Sequence, residues 1–278
     1  MLLKRYGKQD MPGEILLQKL LSNPGRQPLP DKGKTQGFIE DLFTFLFNSN
    51  ELNKEQLESR YNELQVQLSS LVSNCSEDQS RVENFFEQLP AIYDLLIEDA
   101  HAILNSDPAA KTIEEVISAY PGFFATFVYR MAHILCRDEC ILLSRFFTEY
   151  AHSKTGIDIH PAAKIGRSFS IDHGTGIVIG ETTVIGDYVK IYQGVTLGAL
   201  NVSKSIASNK RHPTIEGGVV IYAGATILGG STIVGAGSII GGNVWLTYSV
   251  PANSVVYHKS EVHVKDNNPF PEPLNFVI

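Results

Sequence analysis

Between residues 158 and 197 the chain reads Asp158-Ile159-His160-Pro161-Ala162-Ala163-Lys164-Ile165-Gly166, then Ser170-Ile171-Asp172-His173-Gly174-Thr175-Gly176-Ile177-Val178-Ile179-Gly180-Glu181-Thr182-Thr183-Val184-Ile185, and closes on Lys190-Ile191 and Thr196-Leu197. Aliphatic residues recur every six positions at Ile159, Ile165, Ile171 and Ile177, the frame slips by two, and it resumes at Ile179, Ile185, Ile191 and Leu197. The same spacing continues at Ile215, Ile221, Ile227, Ile233 and Ile239. Four positions after each aliphatic comes a mostly small residue, among them Ala163, Thr175, Thr183, Val189, Val195, Ala225 and Ser231. A period of six does not fit a helix of 3.6 residues per turn. An offset of four is even, so both recurrent positions point to one side of an extended strand. Each hexad is then a short strand plus a turn that cannot bury its own aliphatic, and stacking the hexads into a solenoid gives the aliphatics a common column. Trp245 stands at the next position of the frame and Pro251 follows, where the column is expected to end.

Working outward, the composition changes sharply near residue 155. Of the 23 glycines, 16 fall between residues 159 and 250, whereas residues 1–158 hold 15 basic and 23 acidic side chains. That first part reads as helical. Ser76 and Gln79 form a capping-box pattern ahead of Val82, Phe85, Phe86 and Leu89. Pro90 is expected to restart the helix through Ile92, Leu95, Leu96 and Ile103. Similar periodicity covers Phe38 to Phe47 and Glu51 to Val72, Pro121 opens a helix carrying Phe124, Phe127, Val128, Met131 and Leu135, and one more covers Glu139 to Tyr150. Residues 1–35, with Pro12, Pro28 and Pro30, have little to bury and are expected to form a loose arm. The expected fold is therefore α+β: the arm, an α-helical domain over 36–155, a solenoid over 156–256 and a C-terminal tail over 257–278.

The whole chain of 278 residues has a net charge of −7 and 43% hydrophobic residues, which excludes a disordered or collagen-like chain. The acidic balance, with no basic cluster, argues against a nucleic-acid-binding surface. No apolar run of membrane-spanning length and no signal peptide is seen, so a soluble cytoplasmic protein is expected. Cys75, Cys136 and Cys140 are an odd count outside C-x-x-C spacing, and they read as reduced thiols without disulfide or structural zinc.

A wall of isoleucine and glycine has no chemistry, so the departures from the repeat are informative. One is Ile171-Asp172-His173-Gly174-Thr175-Gly176; the other is the 17-residue interruption from Gly198 to Thr214, which ends Lys210-Arg211-His212-Pro213. A loop of that length inside a tight repeat is more often functional than decorative. The repeat resembles the hexapeptide-repeat proteins, which implies a left-handed parallel β-helix with three hexads per coil. The motif from Asp158 to Gly166, with Asp172-His173, Gly176 to Thr182 and Arg211-His212-Pro213, more specifically resembles serine acetyltransferases. Asp107-Pro108-Ala109 and Tyr129-Arg130-Met131-Ala132-His133 match the helical part of that family, and the resemblance covers roughly residues 90 to 255.

The resemblance implies acetyl transfer from acetyl-CoA to the hydroxyl of L-serine, giving O-acetylserine as the first step of cysteine biosynthesis. Such a reaction needs a base for the hydroxyl proton and donors for the developing oxyanion. His173 is the expected base, Asp158 the carboxylate that orients it, and His212 shares in proton transfer or sits beside the substrate. Arg211 is expected to take the serine carboxylate, and Asp107 and Asp172 its ammonium. Glu181 is matched without a clear role, a solvated turn carboxylate being the alternative. Ala199, Ala223 and Gly241 stand at positions implied for the pantetheine of acetyl-CoA along an edge of the solenoid, although the loop beginning Leu197-Gly198-Ala199-Leu200-Asn201 is longer than the family's. The family implies a homotrimer or a hexamer built of two trimers, with His173 and His212 contributed by different subunits. The final Ile278 is what that family inserts into O-acetylserine sulfhydrylase, but the acidic-glycine residues usual before it are absent. No metal is expected. Three rival readings stand beside it: an acetyltransferase for another hydroxyl acceptor, a non-catalytic hexapeptide scaffold, and a zinc hydratase resembling gamma-class carbonic anhydrases, in which His160, His173 and His212 would bind metal between subunits.

Overall fold

The computed structural model describes residues 12–22, 29–73, 78–200 and 209–259. They fall into two compact units. The first takes the chain up to Ile97 together with Phe124–Ala162; the second takes Glu98–Phe123 together with the residues from Ala163 onward. This division departs from a single boundary near residue 155, because an internal piece of the helical region belongs with the solenoid.

The helices are α1 (Pro12–Leu21), α2 (Lys32–Phe47), α3 (Lys54–Val72), α4 (Ser80–Ser106), α5 (Ile113–Ala119), α6 (Pro121–Arg137) and α7 (Ile141–Thr155). The expected loose arm contains α1, and α2 starts inside it. Pro12 at the first turn, Glu14 near the start and Lys19 near the end suit a helix end to end. Every residue from Gly13 to Ser22 is nevertheless exposed, so α1 owes nothing to burial. Asp31 caps α2 by accepting the Lys34 amide at 3.0 Å, and Asn53 and Gln56 close a reciprocal capping box on α3. Pro90 does not restart a helix: α4 runs through it, at the cost of one backbone bond to the Phe86 carbonyl. In the expected box ahead of α4, Ser76 lies outside the described residues, and the Gln79 side chain accepts the Ser69 hydroxyl at 2.6 Å.

The core of the first unit is aromatic. Phe38 meets Phe85 and Phe147 at ring-centroid distances of 6.1 and 5.9 Å, and Phe43 meets Phe127 at 5.1 Å. His133, from the Tyr129–His133 motif, donates Nδ1–H to the Pro161 carbonyl at 2.7 Å and lies against the buried Tyr129 ring, so this motif acts in packing. Cys136 and Cys140 are thiols outside any disulfide, and the Cys140 sulfur accepts from the Arg81 guanidinium at 3.4 Å; Cys75 lies outside the described residues.

Among the described residues fourteen short strands follow: β1 (Asp158–Ile159), β2 (Lys164–Ile165), β3 (Ser170–Asp172), β4 (Val178–Ile179), β5 (Val184–Ile185), β6 (Lys190–Tyr192), β7 (Thr196–Gly198), β8 (Thr214–Ile215), β9 (Val220–Ile221), β10 (Thr226–Leu228), β11 (Ile233–Val234), β12 (Ile239–Ile240), β13 (Trp245–Leu246) and β14 (Val255–Val256). In the second unit they form three parallel sheets, ordered β4-β7-β10-β13, β2-β5-β8-β11 and β3-β6-β9-β12-β14. Successive strands visit the three sheets in turn, which is a solenoid with three edges. Register stacks Ile179, Leu197, Ile227 and Leu246 in the first sheet, Ile165, Ile185, Ile215 and Val234 in the second, and Ile171, Ile191, Ile221 and Ile240 in the third.

That register corrects the hexad frame beyond Ile227. Ile233, Ile239 and Trp245 are exposed, and their neighbours Val234, Ile240 and Leu246 fill the column at 1% exposure or less. The turn after β10 holds one extra residue, with Gly229 at φ +104°, and a shift of one position exchanges the two faces of every later strand.

Glu98–Phe123 join this unit through specific bonds. The buried Asp99 carboxylate accepts the Phe169 amide at 2.9 Å, Glu98 pairs with the Arg167 guanidinium, and a Cβ on Gly122 would lie 2.7 Å from the Ile171 carbonyl oxygen. The segment therefore lies flush on the third sheet, where it buries the outward-facing Ser170 and Lys190.

Candidate active site

The three edges are the turns that follow each sheet, and His173, Glu181, Arg211 and His212 sit on two of them. His173 follows β3 on the edge after the third sheet. Its backbone is left-handed (φ +58°) and Gly174 continues so (φ +93°), a sharp turn that throws the imidazole outward. The imidazole is 72% exposed, with Nε2 3.7 Å from Asp172 Oδ1, so a substrate can reach it. The other Asp172 oxygen, Oδ2, is 3.0 Å from the Lys190 ammonium.

Asp107 is delivered by the end of α4. Its amide closes the helix on Ile103 at 2.9 Å. Oδ2 accepts the Tyr120 hydroxyl at 2.7 Å and Oδ1 accepts the Ala109 amide at 2.8 Å across the Asp-Pro step. The Tyr120 bond, then the Ala109 amide, hold the carboxyl below its usual range, with Lys190 and His173 adding positive charge nearby. Tyr120 is pushed up to about 12 by the same bond. Tyr120→Phe is expected to raise the Asp107 pKa, so an acidic limb of an activity profile that reports Asp107 moves to higher pH; an unmoved limb would mean that Asp107 takes no part in the site.

Arg211 and His212 sit on the edge after the first sheet, where the long interruption returns. Thr182 builds this corner: its hydroxyl accepts the amides of Arg211 (2.9 Å) and His212 (3.0 Å), and its own amide donates to His212 Nδ1 (3.1 Å). An Nδ1 that accepts leaves the proton of the neutral ring on Nε2, which makes His212 a donor at that atom. The nearly buried ring lies on Gly180, where a Cβ would come within 2.0 Å of His212 Cδ2, so only glycine admits it. Lys210 donates to the carbonyls of Thr182 (2.7 Å), His212 and Pro213 (3.1 Å) and ties the returning loop down. Burial, with Lys164 nearby, lowers its pKa. Glu181, a turn carboxylate 39% exposed, pairs with the Arg211 guanidinium.

The pantetheine positions divide in the same way. Ala223 and Gly241 lie one coil apart on the His173 edge, whereas Ala199 lies on the Arg211 edge, so no single edge of one chain holds all three. Asp158 belongs to the first unit. There its carboxylate, Glu149 and His152 offer ligand atoms within 4.8 Å of one another. Glu149 already pairs with Arg145 and lies 3.4 Å from His152. This is the one such grouping among the described residues. His173 and His212 lie on different edges, and His160 Nδ1 accepts the Ala162 amide at 3.1 Å, which is a turn-corner role.

Tyr120 and Lys190 have no signal in the sequence, and Lys210 has one only as the first residue of the Lys210–Pro213 motif. Thr182 has a signal as the last residue of the Gly176–Thr182 motif.

The coils and sheets define a hexapeptide-repeat solenoid protein. No family model matches the chain. The plasmid serine acetyltransferase of Synechococcus elongatus is 53% identical over 189 residues, covering 66% of this chain and 58% of that protein, so the match spans little more than half of that relative. Among solved structures, serine acetyltransferase isoform 3 of Entamoeba histolytica, in complex with cysteine, superposes with a TM-score of 0.75 at 32% identity, covering 92% of this chain and 94% of that one. A serine acetyltransferase from Brucella abortus in complex with coenzyme A gives 0.60 at 27% identity, covering 87% and 83%. The chain belongs to the serine acetyltransferase family.

Among the described residues no helix is long and apolar enough to cross a membrane.

Proposed function

We propose that the protein transfers the acetyl group of acetyl-CoA to the hydroxyl of L-serine, giving O-acetylserine and CoA, in the cytoplasm and at the entry to cysteine biosynthesis. The observation that carries this reading is the convergence of Asp107, Asp172 and an outward His173 on one solenoid edge, in a chain of this family. His173 Nε2 takes the hydroxyl proton as the serine oxygen attacks the thioester carbonyl, and the proton passes to the departing thiolate. Asp158 is the proposed orienting carboxylate for the other imidazole nitrogen. Asp107 and Asp172 receive the ammonium. Arg211 receives the carboxylate, for which it exchanges its bond to Glu181, and His212 donates from Nε2 to the oxyanion or the substrate carboxylate.

His173, Ala223 and Gly241 occupy one edge, and Arg211, His212 and Ala199 another. Each edge thus supplies half of an amino-acid site and half of a pantetheine track. We read the complete site as formed between neighbouring copies in a trimer, two of which could pair as a hexamer. Exposed Val178, Tyr222 and Trp245 on the outer faces are consistent with burial against another copy. Active monomers in sedimentation would contradict this arrangement. A complex with O-acetylserine sulfhydrylase through Ile278 is a separate proposal; that residue lies outside the described ones.

The test is thiol release from acetyl-CoA with L-serine, homoserine and a panel of sugars. Release is expected with serine well above the others. Release only with another acceptor would leave the fold and family untouched and overturn the substrate.

A further inference from the structure

Lys190 is a buried cation for which the proposed reaction gives no task. It opens β6 at an outward-facing position, the place occupied by Ser170 and Val220 on the strands beside it in register. Glu98–Phe123 cover that position, and Lys190 is left 9% exposed. Its ammonium lies 3.0 Å from Asp172 Oδ2, 2.8 Å from the Ser106 carbonyl oxygen and 4.5 Å from the centroid of the Tyr192 ring, which is itself stacked on Tyr222 at 5.0 Å. Although burial opposes a charge here, Tyr192 and Asp172 hold the Lys190 pKa above its ordinary value.

The contacts connect two segments far apart in sequence. Ser106 immediately precedes Asp107, and Asp172 immediately precedes His173, so one ammonium is bonded both to the backbone beside one carboxylate and to the other carboxylate itself. Charge leads to the same place. Two carboxylates facing a single substrate ammonium leave one negative charge over. Asp172 is 13% exposed. With Lys190 in place, Asp107, Asp172 and Lys190 together carry one net negative charge, the complement of one ammonium.

We infer that Lys190 is a positioning residue for recognition of the substrate ammonium: it fixes the spacing of Asp107 and Asp172 and offsets the surplus negative charge of the pair. The site is thereby matched to an α-amino acid rather than to a hydroxy acid. The inference rests on the serine-acetylation reading.

The experiment compares Lys190→Met, Lys190→Arg, Asp172→Asn and the double variant Lys190→Met/Asp172→Asn in the full chain. L-serine and 3-hydroxypropanoate, which keeps the hydroxyl and carboxylate but lacks the ammonium, are the acceptors. Lys190→Met is expected to raise the serine KM by about tenfold or more, with the acetyl-CoA KM and kcat within about twofold, and to narrow the preference for serine over 3-hydroxypropanoate. Lys190→Arg should retain most of that preference. In the Asp172→Asn background, Lys190→Met should add little, because its effect acts through Asp172. If the Met variant folds poorly, the double variant removes the unpaired carboxylate and keeps the comparison available. An unchanged serine KM, equal losses for both acceptors, or full additivity in the double variant would each overturn the inference. A wild type that releases no thiol with serine would instead overturn the reading on which it rests.

Discussion

Replacing His173 with alanine is expected to lower serine-dependent thiol release by about 10²–10⁴-fold, the range lost when a positioned general base is removed. Serine and acetyl-CoA should still bind, since neither the proposed ammonium carboxylates nor the pantetheine positions involve the imidazole. The left-handed backbone at this position complicates the alanine variant, because a side chain there carries strain that histidine already bears. Asparagine tolerates that conformation better and has no basic nitrogen. His173→Asn should therefore keep the unfolding temperature of the wild type and be as inactive as alanine. If either variant retained more than about a tenth of the activity, His173 would not be the base.

The second large effect concerns the frame of the solenoid. Val234→Asp is expected to abolish soluble folded protein, whereas Ile233→Asp, one residue away, should move the unfolding temperature little. Val234 is fully buried between Ile215 and the neighbouring columns, so an aspartate there would be a carboxylate without partner or water. Such a group costs on the order of 5 kcal/mol, as much as the stability of many domains, on top of the lost apolar burial. Ile233 is 43% exposed, and substitutions at such positions usually fall within about 0.5 kcal/mol. The opposite order of effects, measured by soluble yield and thermal unfolding, would restore the uninterrupted hexad spacing.

That pair of residues also shows where reading the chain by pattern reaches its limit. The column from Ile159 to Ile227 is legible because each aliphatic stands in a regular frame, so period six survives inspection. Beyond it, the doublets Ile233-Val234 and Ile239-Ile240 satisfy two frames at once, and only strand register decides between them. The Gly229-Gly230 pair marked the extra residue, but glycine is so common in these turns that it does not stand out.

The candidate site divides along similar lines. Asp107, Asp172, His173, Arg211 and His212 were legible through motifs, since their residue types are dictated by the chemistry expected of them. Lys190 was not, because a lysine at the outward position of a strand ordinarily faces water. Its significance comes from the helical segment laid over it, which no local pattern announces. Tyr120 was hidden for the same reason, its hydroxyl meeting a carboxylate thirteen residues earlier in the chain. The bond between Glu181 and Arg211 spans thirty residues and a loop whose path spacing cannot give.

The division of the chain between units has a consequence for biosynthesis. The first unit needs Phe124–Ala162 to be complete, and Glu98–Phe123 belong with coils that are made later. Lys190 must leave the ribosome before Ser106 finds its partner, and Phe169 before Asp99 does. During that interval a stretch of amphipathic helix is held without its cover, a high-contact-order arrangement in which completion waits on distant sequence. Slowed translation just after residue 162 would prolong that exposure, so chaperone demand should track elongation rate across the first coils more closely than across the helical region.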